Sequence, residues 1–96
     1  MKQYSAILRT QSHKVAELIS RGYYISECYQ PRFGYQRFSY TDIILTKGQE
    51  IATVTVTDKL LADTRVYTVT AAYRDDPKNK IKSETIGTFY EPIRSI

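Results

Sequence analysis

From Ile51 to Thr57 the chain alternates without a fault: Ala52, Val54 and Val56 fall on one side, Thr53, Thr55 and Thr57 on the other. Successive residues of a strand point to opposite faces, so this stretch specifies a strand with one apolar and one hydroxylated face. The pattern recurs over Arg65 to Arg74, where Tyr67, Val69, Ala71 and Tyr73 oppose Thr68, Thr70 and Ala72. Strands of this kind suit an antiparallel sheet with one side packed and one side in water.

Turn chemistry divides the rest of the chain. Lys47-Gly48-Gln49 reads as a hairpin turn, Gly48 being the residue suited to positive φ. Upstream, a period of two runs from Tyr23 to the stop at Gln30-Pro31, and a second run goes from Gln36 to about Thr46. Asp58 to Asp63 reads as a connection with Leu60 and Leu61 tucked inward. Asp75-Asp76-Pro77-Lys78-Asn79-Lys80 is a polar turn, and the last strand covers roughly Lys82 to Tyr90, closed by Glu91-Pro92.

One helix stands against these strands. Val15, Leu18 and Ile19 make an apolar stripe between Ser12 and Arg21, with Thr10 or Ser12 as N-cap and Gly22 as the left-handed residue beyond the end. Tyr4, Ala6 and Leu8 alternate as a short strand would, although Tyr4, Ile7 and Leu8 also fit a helical face. The polar break at Thr10, Gln11 and Ser12 favours the strand. The expectation is an α+β fold, with one N-terminal helix packed on a curved, mostly antiparallel sheet of four to six strands.

A chain of 96 residues supports one core, so residues 1–96 are expected to form a single domain. No apolar run reaches the roughly 18–20 residues that span a bilayer, and Ala6-Ile7-Leu8 is too short for a signal peptide. A single cysteine, Cys28, points to a reducing, cytoplasmic setting and to a buried or half-buried thiol.

The net charge of +4 is localised. Residues 1–41 hold six basic and two acidic side chains, whereas 42–96 hold eight of each. Within the basic half, Cys28 to Thr41 contains no acid and carries Tyr29, Arg32, Phe33, Tyr35, Arg37, Phe38 and Tyr40. Aromatic faces separated by guanidinium groups stack bases and hold phosphates, and Lys14 and Arg21 on the helix would extend that surface. Tyrosine and arginine are equally what protein interfaces favour, and aromatics are common in strands that do nothing but pack. Arg32-Phe33-Gly34-Tyr35 lacks the glycine that an RNA-recognition strand places between its basic residue and first aromatic. The lysines at 78, 80 and 82 read as a solvated loop or a guard on a sheet edge.

Catalytic chemistry has little to stand on. His13 is the lone histidine, and with one cysteine the chain lacks the soft ligands of a zinc site. The four glycines stand far apart, so there is no phosphate cradle. No cofactor is implied. Nine tyrosines are more than so small a core buries comfortably, since each buried hydroxyl needs a partner. The residues therefore point first to a non-enzymatic protein-binding module, of the inhibitor or adaptor type that phages and plasmids carry. Non-specific single-strand nucleic-acid binding through residues 29–40 is the alternative. A homodimer formed by edge-to-edge strand pairing is a third possibility.

Overall fold

The computed structural model describes residues 4–29, 33, 34, 37, 38, 40–74, 78 and 80–92, and gives the backbone alone at residues 4, 33, 34, 37, 38, 40 and 41. Helix α1 spans Tyr4–Ser20 and is followed by strands β1 (Tyr24–Tyr29), β2 (Phe33–Gly34), β3 (Arg37–Phe38), β4 (Tyr40–Lys47), β5 (Glu50–Leu61), β6 (Thr64–Tyr73) and β7 (Lys82–Pro92). Five strands form an antiparallel sheet in the order β1-β4-β5-β6-β7, and β2 pairs with β3 separately. The helix lies on one face of the sheet, against β5, β6 and β7 and touching β1. This is the expected α+β arrangement.

The expectation of a strand near Tyr4–Leu8 is overturned, because α1 starts at Tyr4 and continues unbroken through the polar stretch. The buried positions are Ile7, Gln11, Lys14, Val15 and Leu18, a helical spacing in which two of the five are polar. Gln11 is tolerated there because its Nε2 donates to the Val54 carbonyl at 3.0 Å. Thr10 caps nothing. Its hydroxyl donates back to the Ala6 carbonyl at 2.9 Å. Ile19, expected on the buried stripe, is 46% exposed.

The helix stops as its sequence suggests. Gly22 takes φ 102°, Tyr23 N–H donates to the Leu18 carbonyl at 3.2 Å and Gly22 N–H to that of Ile19 at 3.0 Å. That is the Schellman pattern, and Tyr23, the residue just beyond, is buried as the pattern favours.

Under the helix, Ala52, Val54 and Val56 of β5 and Tyr67, Val69, Ala71 and Tyr73 of β6 form the core with Ile7, Val15, Leu18, Tyr23 and Leu45. Each fully buried aliphatic side chain contributes roughly 2 kcal/mol through the apolar surface it removes from water. Between β6 and β7 the register slips at Val69 and Thr70, which pair with Gly87 and Thr85 and leave Ile86 as an extra residue on β7. Ile86 packs against the core, and Gly87 leaves room for the helix: a Cβ there would lie 3.3 Å from Phe89 Cε2 and 3.4 Å from Thr10 Cγ2.

Two further expectations are corrected. Asp58 to Leu61 continues β5 instead of forming a connection, and the turn is only Ala62-Asp63. Leu60 and Leu61 are therefore about half exposed, at 48% and 49%, on a hairpin end beyond the buried rows of the sheet. Asp58 is accommodated in the strand by Arg65, 3.4 Å away. Cys28 is exposed, since β1 is an edge strand and all six of its residues are exposed.

Candidate functional site

The helix covers one face of the sheet and leaves the other open. Register decides which residues stand on the open face. Tyr24 lies opposite Thr46, which lies opposite Ile51; the buried Leu45 and Ala52 occupy the next row and the other face. Tyr29 opposes Asp42, Asp42 opposes Thr55, Thr55 opposes Thr70 and Thr70 opposes Thr85. Thr57, Thr68 and Thr88 make the next row. Beyond them, Lys59, Val66 and Tyr90 line up. The open face thus has a threonine centre with aromatic and aliphatic groups towards its ends.

The six tyrosines whose side chains are described sort cleanly between the two faces. Tyr23, Tyr67 and Tyr73 are buried, and each hydroxyl has a partner: the Arg74 carbonyl at 3.5 Å, Glu91 at 3.2 Å and Glu84 at 3.0 Å. Tyr24, Tyr29 and Tyr90 stand on the open face, exposed by 61%, 50% and 59%. Of these only Tyr29 was among the sequence candidates. Strand parity could have found the others: Tyr24 has the opposite parity to buried Tyr23, and Tyr90 shares that of Thr88.

Burial pushes the Tyr67 hydroxyl up to about 12, with Glu91 adding to the effect by its charge and by accepting the hydroxyl hydrogen bond. Such a group is a neutral structural donor at ordinary pH.

The two helical cations proposed for a basic surface are both engaged. Lys14 is only 9% exposed; its Nζ lies 2.8 Å from Glu84 on β7, pairs with Glu17 one turn on, and donates to Tyr73 at 3.3 Å. Desolvation opposes the charged form, but the hydrogen bonds to Glu17, Glu84 and Tyr73 outweigh it and hold the ammonium well above the usual lysine range. Arg21 is 45% exposed, with a guanidinium nitrogen 3.8 Å from Glu17 and its centre 5.5 Å from the Tyr73 ring centroid. Lys14 therefore ties the helix to the edge strand and is not a cation of the outer surface.

Of the basic aromatic segment, Arg32 and Tyr35 lie outside the described residues. Phe33 pairs with Phe38 across the small β2–β3 hairpin, Gly34 with Arg37, and Tyr40 opens β4 opposite Thr57.

Beside the Lys14 cluster, a groove of about 420 Å³ runs between α1 and β7, lined by Thr10, His13, Lys14, Glu17, Glu84, Thr85 and Ile86. Its principal charged groups already satisfy one another. Among the described residues, no three His, Cys, Asp or Glu side chains gather to hold a metal ion. No described helix is long and apolar enough to cross a membrane. Comparison of the chain with protein-family models, with curated proteins and with solved structures finds no match.

Proposed function

We propose that this chain is a small, non-enzymatic protein-binding module that engages its partner through the open face of the sheet. The observation that carries the reading is the placement of Tyr24, Tyr29 and Tyr90, all half-exposed or more and all on the face that α1 leaves uncovered. Tyrosine offers a large rigid surface at low entropic cost, with a hydroxyl to fix orientation, which is why it is enriched where proteins meet.

Charge separates a protein partner from a nucleic acid on this face. Register places Glu27 and Asp42 there alongside Lys59, so the paired rows of this face carry no excess of cations. A surface that tracks phosphates needs an excess of cations, because counterion release supplies most of the affinity. The strand edges work against self-pairing. β1 carries an irregularity at Ser26, whose hydroxyl donates to the Ile44 carbonyl at 3.0 Å, and β7 carries its bulge at Ile86 between Lys82 and Pro92. Bulges, lysine and proline are what proteins use to blunt an edge.

Titration of labelled single- and double-stranded oligonucleotides at low and physiological salt, followed by anisotropy, tests the choice. The expected result is no salt-steep binding. Tight binding at low salt that Arg37→Ala weakens would move the function to nucleic acid, through residues 29–40.

A further inference from the structure

Along the strands, the open face has a layout that repeats about its own middle. At the end nearest Gly48, Ile51 and Ile81 are 60% and 62% exposed and line one cleft, with Tyr24 in the row of Ile51. Leu61 has the strand parity of Ile51 and stands on the same face at the other end, in a row with Thr64 and Pro92. Val66 and Tyr90 occupy the row beside it. Between these ends, the three middle rows across β5, β6 and β7 hold threonine at every position except Ala72 and Ser83. No charge interrupts that centre. Glu27 and Asp42 lie to one side of it on β1 and β4, and Lys59 lies towards one end. Depletion of charge at the centre, with aromatic groups around it, is what distinguishes a protein interface from the rest of a surface.

Size and symmetry name the occupant. The strand rises about 33 Å from Ile51 to Leu61, and five strands span about 24 Å. That area is on the scale of the roughly 800 Å² that each partner contributes to a specific interface. A two-fold axis requires a surface that matches itself, and apolar ends around a threonine middle do so. The edge strands, irregular at Ser26 and bulged at Ile86, turn self-association away from strand pairing and onto the face. Lys59 fixes the direction. It lies on β5, the middle strand, so an axis parallel to the strands would set it over its own copy. An axis perpendicular to the strands holds the two lysines about 20 Å apart and lays the Ile51–Ile81 end of one copy on the Leu61–Tyr90 end of the other.

We infer that the open face is the interface of a homodimer, two copies packed sheet on sheet about 10 Å apart with their strands antiparallel. The inference rests on the protein-binding reading and names the partner: a second copy of this chain.

Sedimentation equilibrium of the full chain is expected to show monomer and dimer exchanging with a dissociation constant of about 1–10 μM. Thr57 is exposed on the middle strand, near the two-fold axis, and takes a charge without disturbing the monomer. Thr57→Lys and Thr57→Glu should each weaken the dimer about hundredfold by setting like charges together, with circular dichroism unchanged. An equimolar mixture of the two should associate within about tenfold of wild type, because the charges are then opposite. In a Cys28→Ser background, Ile51→Cys mixed with Leu61→Cys should join through a short bis-maleimide, and Leu61→Cys alone should not. A chain monomeric at about 1 mM, a dimer indifferent to both charges, or a mixture no tighter than either variant overturns the proposal. A monomer whose tyrosine positions still cross-link to another protein fells this inference and leaves the protein-binding reading standing. A monomer that takes up oligonucleotides through this face fells both.

Discussion

Replacing Lys14 by methionine isolates the polar tie between the helix and the edge strand. Methionine nearly matches the buried lysine stem in volume, so packing is preserved and the change removes the charge. What is lost is the 2.8 Å contact with Glu84, the pair with Glu17 and the 3.3 Å bond to Tyr73. Breaking a fully buried pair costs about 3–5 kcal/mol because the abandoned charge stays in a dry site. Here the abandoned carboxylates remain 45% and 33% exposed and turn to water. The loss is therefore nearer that of one charge-assisted hydrogen bond, about 1–2 kcal/mol, which is roughly 4–15 °C in the melting temperature of a domain this size.

The same variant has a pH signature. The Glu84 carboxyl is held below its ordinary range, chiefly by the Lys14 hydrogen bond and then by that from Tyr73. A depressed carboxyl stabilises the fold above its unfolded pKa of about 4.3, and that contribution is lost as pH falls through the lower folded value. Urea unfolding of wild type and Lys14→Met at neutral pH and in acid should show a gap that narrows below about pH 4. A variant as stable as wild type at neutral pH, or a gap that ignores pH, would refute the reasoning.

Gly87→Ala should destabilise by about 1 kcal/mol in urea, because the new methyl must push aside the Phe89 ring and Thr10, both about 3.3–3.4 Å from its position. Ala62→Gly should stabilise by about 0.5–1 kcal/mol: φ is 55° at this hairpin turn, a conformation that is strained for alanine, and the relief exceeds the added chain entropy. Tyr67, with its pKa pushed up to about 12, stabilises the fold fully below about pH 10 and ceases to as pH rises through 12. Circular dichroism against pH should show that alkaline loss, and Tyr67→Phe should remove its tyrosine-dependent part.

How much of this was legible depended on where polar residues sit. The alternations over Ile51–Thr57 and Tyr67–Tyr73 marked the central strands and their buried faces because no polar side chain interrupts the apolar side. The first half of α1 was hidden because Gln11 and Lys14 occupy buried stripe positions, satisfied by Val54 on β5 and by Glu84 on β7. Local periodicity cannot register partners that lie so far along the chain. The end of β5 was misread for the same reason, since Asp58 breaks the apolar alternation and finds Arg65 only after the hairpin closes. The tyrosine count announced an exposed aromatic surface. Its location needed register, because a tyrosine in a strand serves core or surface according to which face its neighbours fill.

The central claim is that the face opposite the helix meets a protein. A photo-crosslinking amino acid placed singly at Tyr24, Tyr29 and Tyr90, and at the exposed helix position Ala16 as control, tests it in the cells that make the protein. The account predicts one discrete protein adduct from the three sheet positions and none from position 16. Adducts to nucleic acid, or to protein from position 16 alone, would contradict it.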